Sequence, residues 1–212
     1  MKSPIVTIID YECGNLASLG RAFTQVGANV VIARSAKEAA RAECLILPGV
    51  GSFPKAMAVL DHSGLSDVIR EHARRGRSLL GICLGMQLLF EFGHEFSKTR
   101  GLAIIPGQVG KLGDQEGSSN VFKLPHIGWQ KATGVDRADG EYSIINNKEY
   151  YYFNHSFVAR PAGLSDVRAT SQYHHLDFCC LVGRGKTTGC QFHPEKSGLA
   201  GQEVIRNYLK TL

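Results

Sequence analysis

Short apolar runs alternate with amphipathic segments through the first half of the chain. Uninterrupted apolar runs predict strands at Ile5–Ile9, Val30–Ile32, Cys44–Leu47 and Ser78–Ile82. Apolar spacings of three and four predict helices at Leu16–Val26, Ala36–Ala42, Pro54–Leu60, Leu65–Arg75 and Leu84–Phe92. Buried strands joined by helices are typical of a parallel sheet that is covered on both faces. We therefore predict an α/β fold with a mostly parallel central sheet flanked by helices.

The second half of the chain has shorter strand-like segments, many turn residues and little helical periodicity. Its pattern predicts strands at Tyr150–Val158, Phe178–Val182 and Thr187–Phe192, and a final helix at Gly198–Leu209. Gly, Ser and acidic residues indicate a surface loop at Gly113–Asn120. We expect this half to add antiparallel strands. Because neither internal repeats nor a linker-like segment interrupt the chain, we predict a single domain over residues 1–212.

Composition and charge narrow the class of protein. The 212 residues are 43% hydrophobic and 20% charged, which suits a folded core rather than a disordered chain. The net charge of +5 comes from dispersed Lys and Arg residues, so it does not indicate nucleic-acid binding. No apolar run approaches the ~18 residues of a membrane span, and the first residues lack the features of a secretory signal. We expect a cytoplasmic protein that binds neither nucleic acid nor membrane.

The cysteines are of two kinds. Cys44, Cys179, Cys180 and Cys190 lie in or beside apolar runs, where a free thiol packs as a small apolar group. No Cys-x-x-Cys pair is present, so the sequence predicts no zinc site, and we expect neither metal nor cofactor. Cys83 stands apart because it directly follows one predicted strand and precedes a predicted helix.

The segment Gly81-Ile82-Cys83-Leu84-Gly85 has the form of a nucleophile elbow, in which a strand enters a sharp turn and a helix leaves it. Glycines on both sides of Cys83 allow a tight turn and a close approach of neighbouring backbone. Backbone N–H groups at the start of the helix favour a thiolate and can donate to an oxyanion. From these five residues alone, a core cysteine between two packing glycines is an equally good interpretation.

Two further segments carry groups that could assist a nucleophilic cysteine. His193 and Glu195 lie two residues apart in an extended segment, so the carboxylate can orient the imidazole as a base. Pro48–Gly51 follows a buried strand, where glycines can turn backbone N–H groups toward a developing oxyanion. Alone, the first pair is typical of an ordinary surface and the second of an ordinary strand-to-helix turn. Beside a cysteine elbow, they support nucleophilic catalysis by a cysteine.

Longer motifs resemble those of the class I, or triad, glutamine amidotransferases, and most closely those of the glutaminase subunits of imidazole glycerol phosphate synthases. The resemblance covers essentially the whole chain and rests on Leu47–Gly51, Gly81–Gln87, Pro125–Trp129, Tyr152–Ser156 and Gln191–Gly198. It implies a flavodoxin-like three-layer fold. It also implies that Cys83 attacks the side-chain amide of L-glutamine, that His193 transfers the proton and that Glu195 orients the imidazole.

The same resemblance implies further site residues. The oxyanion hole would come from Gly49, Val50, Gly51 and Leu84, and the glutamine pocket from Gln87, Glu95, His155 and Ser156. The ammonia would pass to a separate (β/α)8-barrel cyclase in a heterodimer, because such a barrel takes ~250 residues and cannot fit within this chain. Positions at or near the docking surface are His126, Gly128, Trp129, Tyr152 and Lys196. Trp129 is either an exposed anchor of that surface or an ordinary core aromatic.

Several residues depart from the usual pattern of these glutaminase subunits. They are Glu12-Cys13 in the first loop, Gln130, Asn154 and Phe157. Some of these positions lie on the side of the expected docking surface. The alternative is therefore a paralogous glutaminase that supplies ammonia to a sugar amidotransferase of surface-polysaccharide synthesis.

Overall fold

The computed structural model describes residues 3–12, 14–114, 123–135 and 144–212, so Cys13 and most of the predicted loop at 113–120 lie outside it. Within these residues the strands are β1 (Ile5–Ile9), β2 (Asn29–Ala33), β3 (Cys44–Leu47), β4 (Ser78–Ile82), β5 (Phe90–Gly93), β6 (Thr99–Arg100), β7 (Ile105–Lys111), β8 (His126–Gly134), β9 (Tyr150–His155), β10 (Phe157–Pro161), β11 (Val167–Tyr173), β12 (Leu176–Arg184) and β13 (Thr187–Cys190). The α-helices are α1 (Leu16–Gln25), α2 (Ala36–Ala39), α3 (Phe53–His62), α4 (Leu65–Arg74), α5 (Leu84–Leu88) and α6 (Gly198–Leu209).

These strands form one mixed sheet. Its main path runs in the order β2-β1-β3-β4-β13-β12-β10-β7-β5-β6. The strands from β2 to β13 are parallel to one another, whereas β13, β12, β10 and β7 pair antiparallel. β11, β8 and β9 extend the sheet from β12 through antiparallel pairs. The predicted α/β class, with a parallel centre and added antiparallel strands, is confirmed.

Helices cover both faces of the parallel part of the sheet. On one face α1 and α6 contribute Phe23 and Tyr208 to a buried cluster, and on the other α3 and α4 contribute Phe53 and Ile69 to a second one. Burial of the apolar side of each helix against the strands drives this three-layer arrangement. Among the described residues, no helix is both long enough and apolar enough to cross a membrane.

One predicted helix is wrong over nearly half its length. The segment predicted as Leu84–Phe92 is helical only to Leu88, and Phe90–Gly93 is strand β5. The cause is tertiary: Phe90 pairs with Ile105 of β7, and this pairing overrides the local preference. The short helix predicted as Ala36–Ala42 likewise ends at Ala39.

Two predicted strands also have different bounds. The segment Tyr150–Val158 is divided between β9, which pairs with β8, and β10, which pairs with β7. The strand predicted as Thr187–Phe192 ends at Cys190. The residues after Cys190 therefore leave the sheet and are free to carry side chains into a site.

Register in the parallel centre brings three distant segments together. Leu47 of β3 lies opposite Gly81 of β4, and Ile82 of β4 lies opposite Cys190 of β13. The chain therefore leaves all three strands at the same carboxyl edge, which is where open α/β sheets bind ligands. The Pro48 turn, Cys83 and the segment after Cys190 meet at this edge.

Candidate active site

Cys83 occupies a strained turn between β4 and α5. Its φ of 54° and ψ of −111° are unfavourable for a residue with a side chain. Its N–H donates to the Cys190 carbonyl at 2.7 Å, which holds the turn against β13. A Cβ on Gly81 would lie 2.6 Å from the Gly85 carbonyl oxygen, and a Cβ on Gly85 would overlap the Leu47 carbonyl. The turn has the geometry of a nucleophile elbow, and glycine is required on both sides.

His193 and Glu195 form a buried pair beside Cys83. Nδ1 of the ring lies 2.8 Å from Glu195 Oε1, and the two side chains are 4% and 7% exposed. Because an ionised carboxylate only accepts hydrogen bonds, Nδ1 carries the proton. Burial alone would lower the pKa of His193, but hydrogen bonds and charge interactions with Cys83 and Glu195 outweigh it and raise that pKa to about 10. A protonated ring favours negative charge on the neighbouring sulfur.

Two buried side chains, for which the sequence predicted no role, hold the backbone of the site. The Ser197 hydroxyl donates to the His193 carbonyl at 2.7 Å and accepts from the Tyr152 N–H at 2.9 Å. The hydroxyl of Tyr11 donates to the Pro48 carbonyl at 2.7 Å. The two Ser197 hydrogen bonds hold the backbone of His193 against β9, and the Tyr11 hydrogen bond holds the turn after β3. No sequence pattern pointed to Tyr11, whereas Ser197 lies within the Gln191–Gly198 motif.

The turn after β3 packs closely against the elbow. A Cβ on Gly49 would lie 2.8 Å from the Gly85 nitrogen, so only glycine permits this approach. Val50 and Gly51 are exposed and border the same cleft as Leu84, whereas Gly49 is buried and does not line it. Three of the four residues predicted for the oxyanion hole therefore border the cleft, and Gly49 supports them from behind.

The Cys83 cleft has a volume of about 260 Å³. Besides Cys83 and His193, it is lined by all four residues that were predicted to bind glutamine: Gln87, Glu95, His155 and Ser156. Glu95 Oε2 accepts the Phe53 N–H at 2.7 Å, which holds this carboxylate at the start of α3. A cleft of this size suits a ligand smaller than a drug-sized molecule, for which ~300–1,000 Å³ is usual.

The Phe157 carbonyl organises one wall of the Cys83 cleft. Gln87 Nε2 donates to it and to Gln191 Oε1, both at 3.0 Å, so only the Gln87 oxygen can contact a ligand. His155 Nδ1 also donates to it at 3.0 Å, and His155 Nε2 accepts from His126 Nδ1 at 3.2 Å. Burial is the main reason that the pKa of His155 falls to about 3. His155 is thus a neutral wall residue with both nitrogens already bonded.

One face of the β8–β9 pair lies near the Cys83 cleft and carries the exposed Ile127 and Trp129 and the half-buried Tyr152. We call these three residues the docking face, because the sequence predicts a docking surface there. Trp129 is 51% exposed and lies opposite Tyr152, with ring centroids 5.9 Å apart. Lys196 lines the cleft, and its Nζ lies 5.6 Å from the centroid of the Tyr152 ring. Trp129 is therefore a surface residue and not a core aromatic. Asn154, on the same face, also lines the cleft.

His126 lies behind the docking face and not on it. Side chains alternate along β8, so the buried ring of His126 stacks on Phe153 and Tyr173, with centroids 5.3 and 4.2 Å away. Burial, and next the charge of His174, lower the pKa of His126 to about 4. Gly128 is half-buried. Any influence of His126 on a partner must therefore pass through its neighbours.

A larger cleft of about 740 Å³ lies near the amino ends of β4 and β13, away from Cys83, and is lined by Arg70, Arg74, Arg100 and Arg184 among others. Three of these arginines pair with acidic side chains. Among the described residues that line it there is neither a thiol nor a histidine. Size is therefore a poor guide to chemistry in this molecule, and the Cys83 cleft is the candidate active site.

A strained cysteine beside a histidine–carboxylate pair, at the carboxyl edge of a covered α/β sheet, defines a thiol-dependent acyl-transfer enzyme. Residues 7–212 match the family model "Glutamine amidotransferase class-I". The chain belongs to this family.

Relatives and solved structures agree with that assignment. The protein named imidazole glycerol phosphate synthase subunit HisH from Halalkalibacterium halodurans is 40% identical over 202 residues, covering 95% of this chain and 93% of the relative. The protein of that name from Lactococcus lactis is 39% identical over 207 residues, with 98% of each covered. A crystal structure of a glutamine amidotransferase has a TM-score of 0.72 at 19% identity over 97% of each chain. The structure of PurLQS from Thermotoga maritima has 0.70 at 18% over 99% of each. At these identities the two structures support the fold alone.

Proposed function

We propose that this chain is the glutaminase subunit of an imidazole glycerol phosphate synthase. It hydrolyses L-glutamine to glutamate and ammonia and supplies the ammonia to a barrel-type cyclase. The observation that carries the glutaminase activity is the strained Cys83 beside the buried His193–Glu195 pair, in a cleft that also holds Gln87 and Glu95. The names of the relatives, which are 38–40% identical over nearly the whole chain, support the synthase.

The reaction proceeds as two acyl transfers. The Cys83 sulfur forms a bond to the side-chain carbonyl carbon of glutamine, and the oxyanion faces the backbone of Leu84 and the Val50–Gly51 turn. The carbon–nitrogen bond then breaks as His193 gives its proton to the nitrogen, which releases ammonia and leaves a γ-glutamyl thioester. Water, losing a proton to the neutral His193, attacks the thioester and breaks the carbon–sulfur bond. Glutamate leaves, and the protonated ring again faces the sulfur.

Gln87 and Glu95 suit a free amino acid as the substrate. The amide oxygen of Gln87 and the carboxylate of Glu95 line the Cys83 cleft and can accept hydrogen bonds from an ammonium group. We place the α-ammonium of glutamine between them, with its side-chain amide at Cys83. A peptide lacks a free ammonium beside an internal glutamine side chain, so these groups select against it.

The site also supports the proposals for domain and compartment. Cys83 comes from the first half of the chain and His193 from the second, so residues 1–212 act as one functional domain. Within the described ranges the cysteines are free and buried: Cys44, Cys83, Cys179, Cys180 and Cys190. Reduced thiols, one of them catalytic, fit a cytoplasmic enzyme.

The docking face supports the proposal of a cyclase partner. The exposed side chains of Trp129 and Ile127 and the half-buried ring of Tyr152 lie close to the mouth of the Cys83 cleft, and aromatic and apolar residues of this kind anchor protein interfaces. A barrel that covers this mouth would receive ammonia without its passing through solvent. The relatives are named as synthase subunits, so they favour this partner over a sugar amidotransferase of surface-polysaccharide synthesis.

The first test replaces the nucleophile. Cys83→Ala, in complex with the cyclase, is expected to lose glutamine-dependent synthesis while free ammonium salts still support it. The matched control is Cys179→Ala, which removes a buried thiol away from the cleft and keeps both activities. Glutamine-dependent turnover that survives in Cys83→Ala means that another residue is the nucleophile.

The second test measures docking. Trp129→Ala is expected to raise the Kd for the cyclase about tenfold or more, since truncating an interface anchor costs about 1–2 kcal/mol or more. Leu164→Ala removes an apolar side chain that is more exposed than Trp129 and does not line the cleft, and it should leave the Kd unchanged. Titration calorimetry gives both values. Equal Kd values for Trp129→Ala and the unchanged protein would show that the interface lies elsewhere on the chain.

A further inference from the structure

Gln191 is fully buried beside the nucleophile and has no part in the reaction as described so far. β13 ends at Cys190, which lies opposite Ile82 of β4, so Gln191 and Cys83 leave neighbouring strands side by side. Gln191 is 0% exposed, and its Nε2 lies 3.7 Å from Cys83 Sγ. This distance is within the range of an N–H···S hydrogen bond. Burying a primary amide is costly unless its groups are bonded, so the contact calls for an explanation.

We propose that Gln191 is a positioning residue whose side-chain amide donates a hydrogen bond to the Cys83 sulfur, holding it as a thiolate in the orientation needed for attack. The inference rests on the proposed role of Cys83 as nucleophile. It assigns to Gln191 a function in the reaction in addition to its packing.

The orientation of the Gln191 amide follows from its neighbours. The Phe157 carbonyl can only accept, so the end of Gln87 that faces it must be the nitrogen. That nitrogen has a second proton, which points 3.0 Å away to Gln191, so the Gln191 atom there must be the oxygen. The other end of Gln191, facing Cys83, is therefore Nε2, a donor. The Phe157 carbonyl thus determines, through Gln87 and Gln191, which group meets the sulfur.

The surroundings of the sulfur make a donor useful. On another side, Cys83 Sγ lies 3.9 Å from the Asn154 carbonyl oxygen, which can accept from a thiol but repels a thiolate. Once the proton moves to His193, the sulfur needs donors, and the Gln191 amide is one that is fixed in place by Gln87. Hydrogen bonds to charged groups are stronger than those between neutral groups.

This contact acts on both halves of the reaction. Before attack it stabilises the thiolate, and in the γ-glutamyl thioester it faces a neutral sulfur. When water breaks the thioester, the sulfur leaves as a thiolate and the contact is restored. Gln191 thus favours the departure of Cys83 as well as its ionisation, and its loss should lower kcat more than it changes KM.

The test compares Gln191→Leu and Gln191→Glu with the unchanged chain in complex with the cyclase. The rate of alkylation by iodoacetamide is followed against pH, because only the thiolate reacts. In Gln191→Leu the apparent midpoint of reactivity should rise by about one pH unit, and kcat should fall about tenfold with KM nearly constant. In Gln191→Glu, which keeps the size of the side chain, the midpoint should rise further because a carboxylate repels the thiolate. Gln172→Leu, at an exposed glutamine bonded to Asp177, is the matched control and should match the unchanged chain.

Each outcome has a definite reading. A midpoint and kcat unchanged in both Gln191 variants overturn the proposal, and so does a rise in KM alone, which would place Gln191 in substrate binding through Gln87. If Gln191→Leu does not fold, Gln191→Glu decides by its midpoint, with urea unfolding as the check on folding and the Kd for the cyclase as the check on docking. Failure of the proposed function is distinguishable, because the unchanged complex would then hydrolyse no glutamine or would lose no activity when Cys83 is alkylated.

Discussion

Replacing Glu195 by glutamine removes one negative charge from the active site while keeping the size of the side chain. In the structure this carboxylate lies 2.8 Å from His193 Nδ1, and both side chains are almost fully excluded from solvent. The substituted amide has two possible orientations. With its oxygen toward Nδ1 it keeps the hydrogen bond without the charge, and with its nitrogen there it favours the wrong tautomer of the ring.

The size of the effect on the pKa of His193 and on kcat follows from the hydrogen bond between His193 and residue 195, which loses its charged acceptor. A hydrogen bond to a charged group contributes about 1.5–3 kcal/mol, which corresponds to about one to two units in the pKa of His193. That pKa should therefore fall from about 10. The same energies convert to a loss of kcat of about 10- to 100-fold, and the tautomer error adds to it.

The pH dependence of the free energy of unfolding should reveal the same fall in the pKa of His193. Because the pKa of His193 is raised on folding, its protonated form stabilises the fold fully below its ordinary value of 6.5, and this contribution is lost as pH rises through about 10. Glu195→Gln should shift that loss to lower pH. Urea unfolding at several pH values between about 6 and 10 measures the shift.

The kinetic assay is glutamine hydrolysis by the complex at saturating glutamine, over the same pH range. Glu149→Gln, at an exposed carboxylate, is the control and should behave as the unchanged chain. The refuting result is that kcat and the pH at which stability is lost are the same in Glu195→Gln as in the control. In that case the Glu195 carboxylate does not stabilise the protonated His193 ring, and the assignment of Glu195 to the triad is wrong.

Two further predictions concern stability. Gly85→Ala should destabilise the fold by about 1–3 kcal/mol or more in urea unfolding, because its Cβ overlaps the Leu47 carbonyl. The control is Gly20→Ala, in the unobstructed interior of α1, which should stabilise the fold by about 0.5–1 kcal/mol. Equal effects of the two substitutions would contradict the role of close packing at Gly85. His126 has a depressed pKa, so its contribution is present above 6.5 and falls away toward pH 4. His126→Phe should therefore lose about 2 kcal/mol less than the unchanged chain between pH 7 and 5, and an unchanged acid slope would show that His126 is not held neutral.

The parallel strands could be predicted because each is a short apolar run bounded by turn residues. Cys44–Leu47 and Ser78–Ile82 have the same bounds in the structure as in the sequence pattern. The segment after the elbow could not be predicted, because Leu88-Leu89-Phe90 is apolar on every side and has neither a helical nor a strand period. Only its pairing with β7, which follows later in the chain, decides that it leaves the helix.

The candidate site was predictable to the extent that its chemistry lies in short motifs. The resemblance pointed to Cys83, His193 and Glu195, and their proximity follows from the order of β4 and β13 in the sheet. The contact of Gln191 with Cys83 joins residues 108 positions apart, and no local spacing can show it. His126 was assigned to the wrong face for a related reason. Residues 126 and 129 lie three apart and point to opposite faces of β8, but the sequence pattern predicted no strand there.

β13 lies between β4 and β12 in the sheet, and this position has a consequence for the growing chain. On the ribosome, β4 and the Cys83 turn that follows it emerge long before the segment that carries His193. Until β13 is in place, β4 has an unpaired edge, and Cys83 has neither His193 nor Gln191 beside it. Pairing across so many residues is slow compared with local folding. His193 therefore meets Cys83 only after β13 has been made and has paired with β4, so a chain that stops before β13 lacks the arrangement proposed for glutamine hydrolysis.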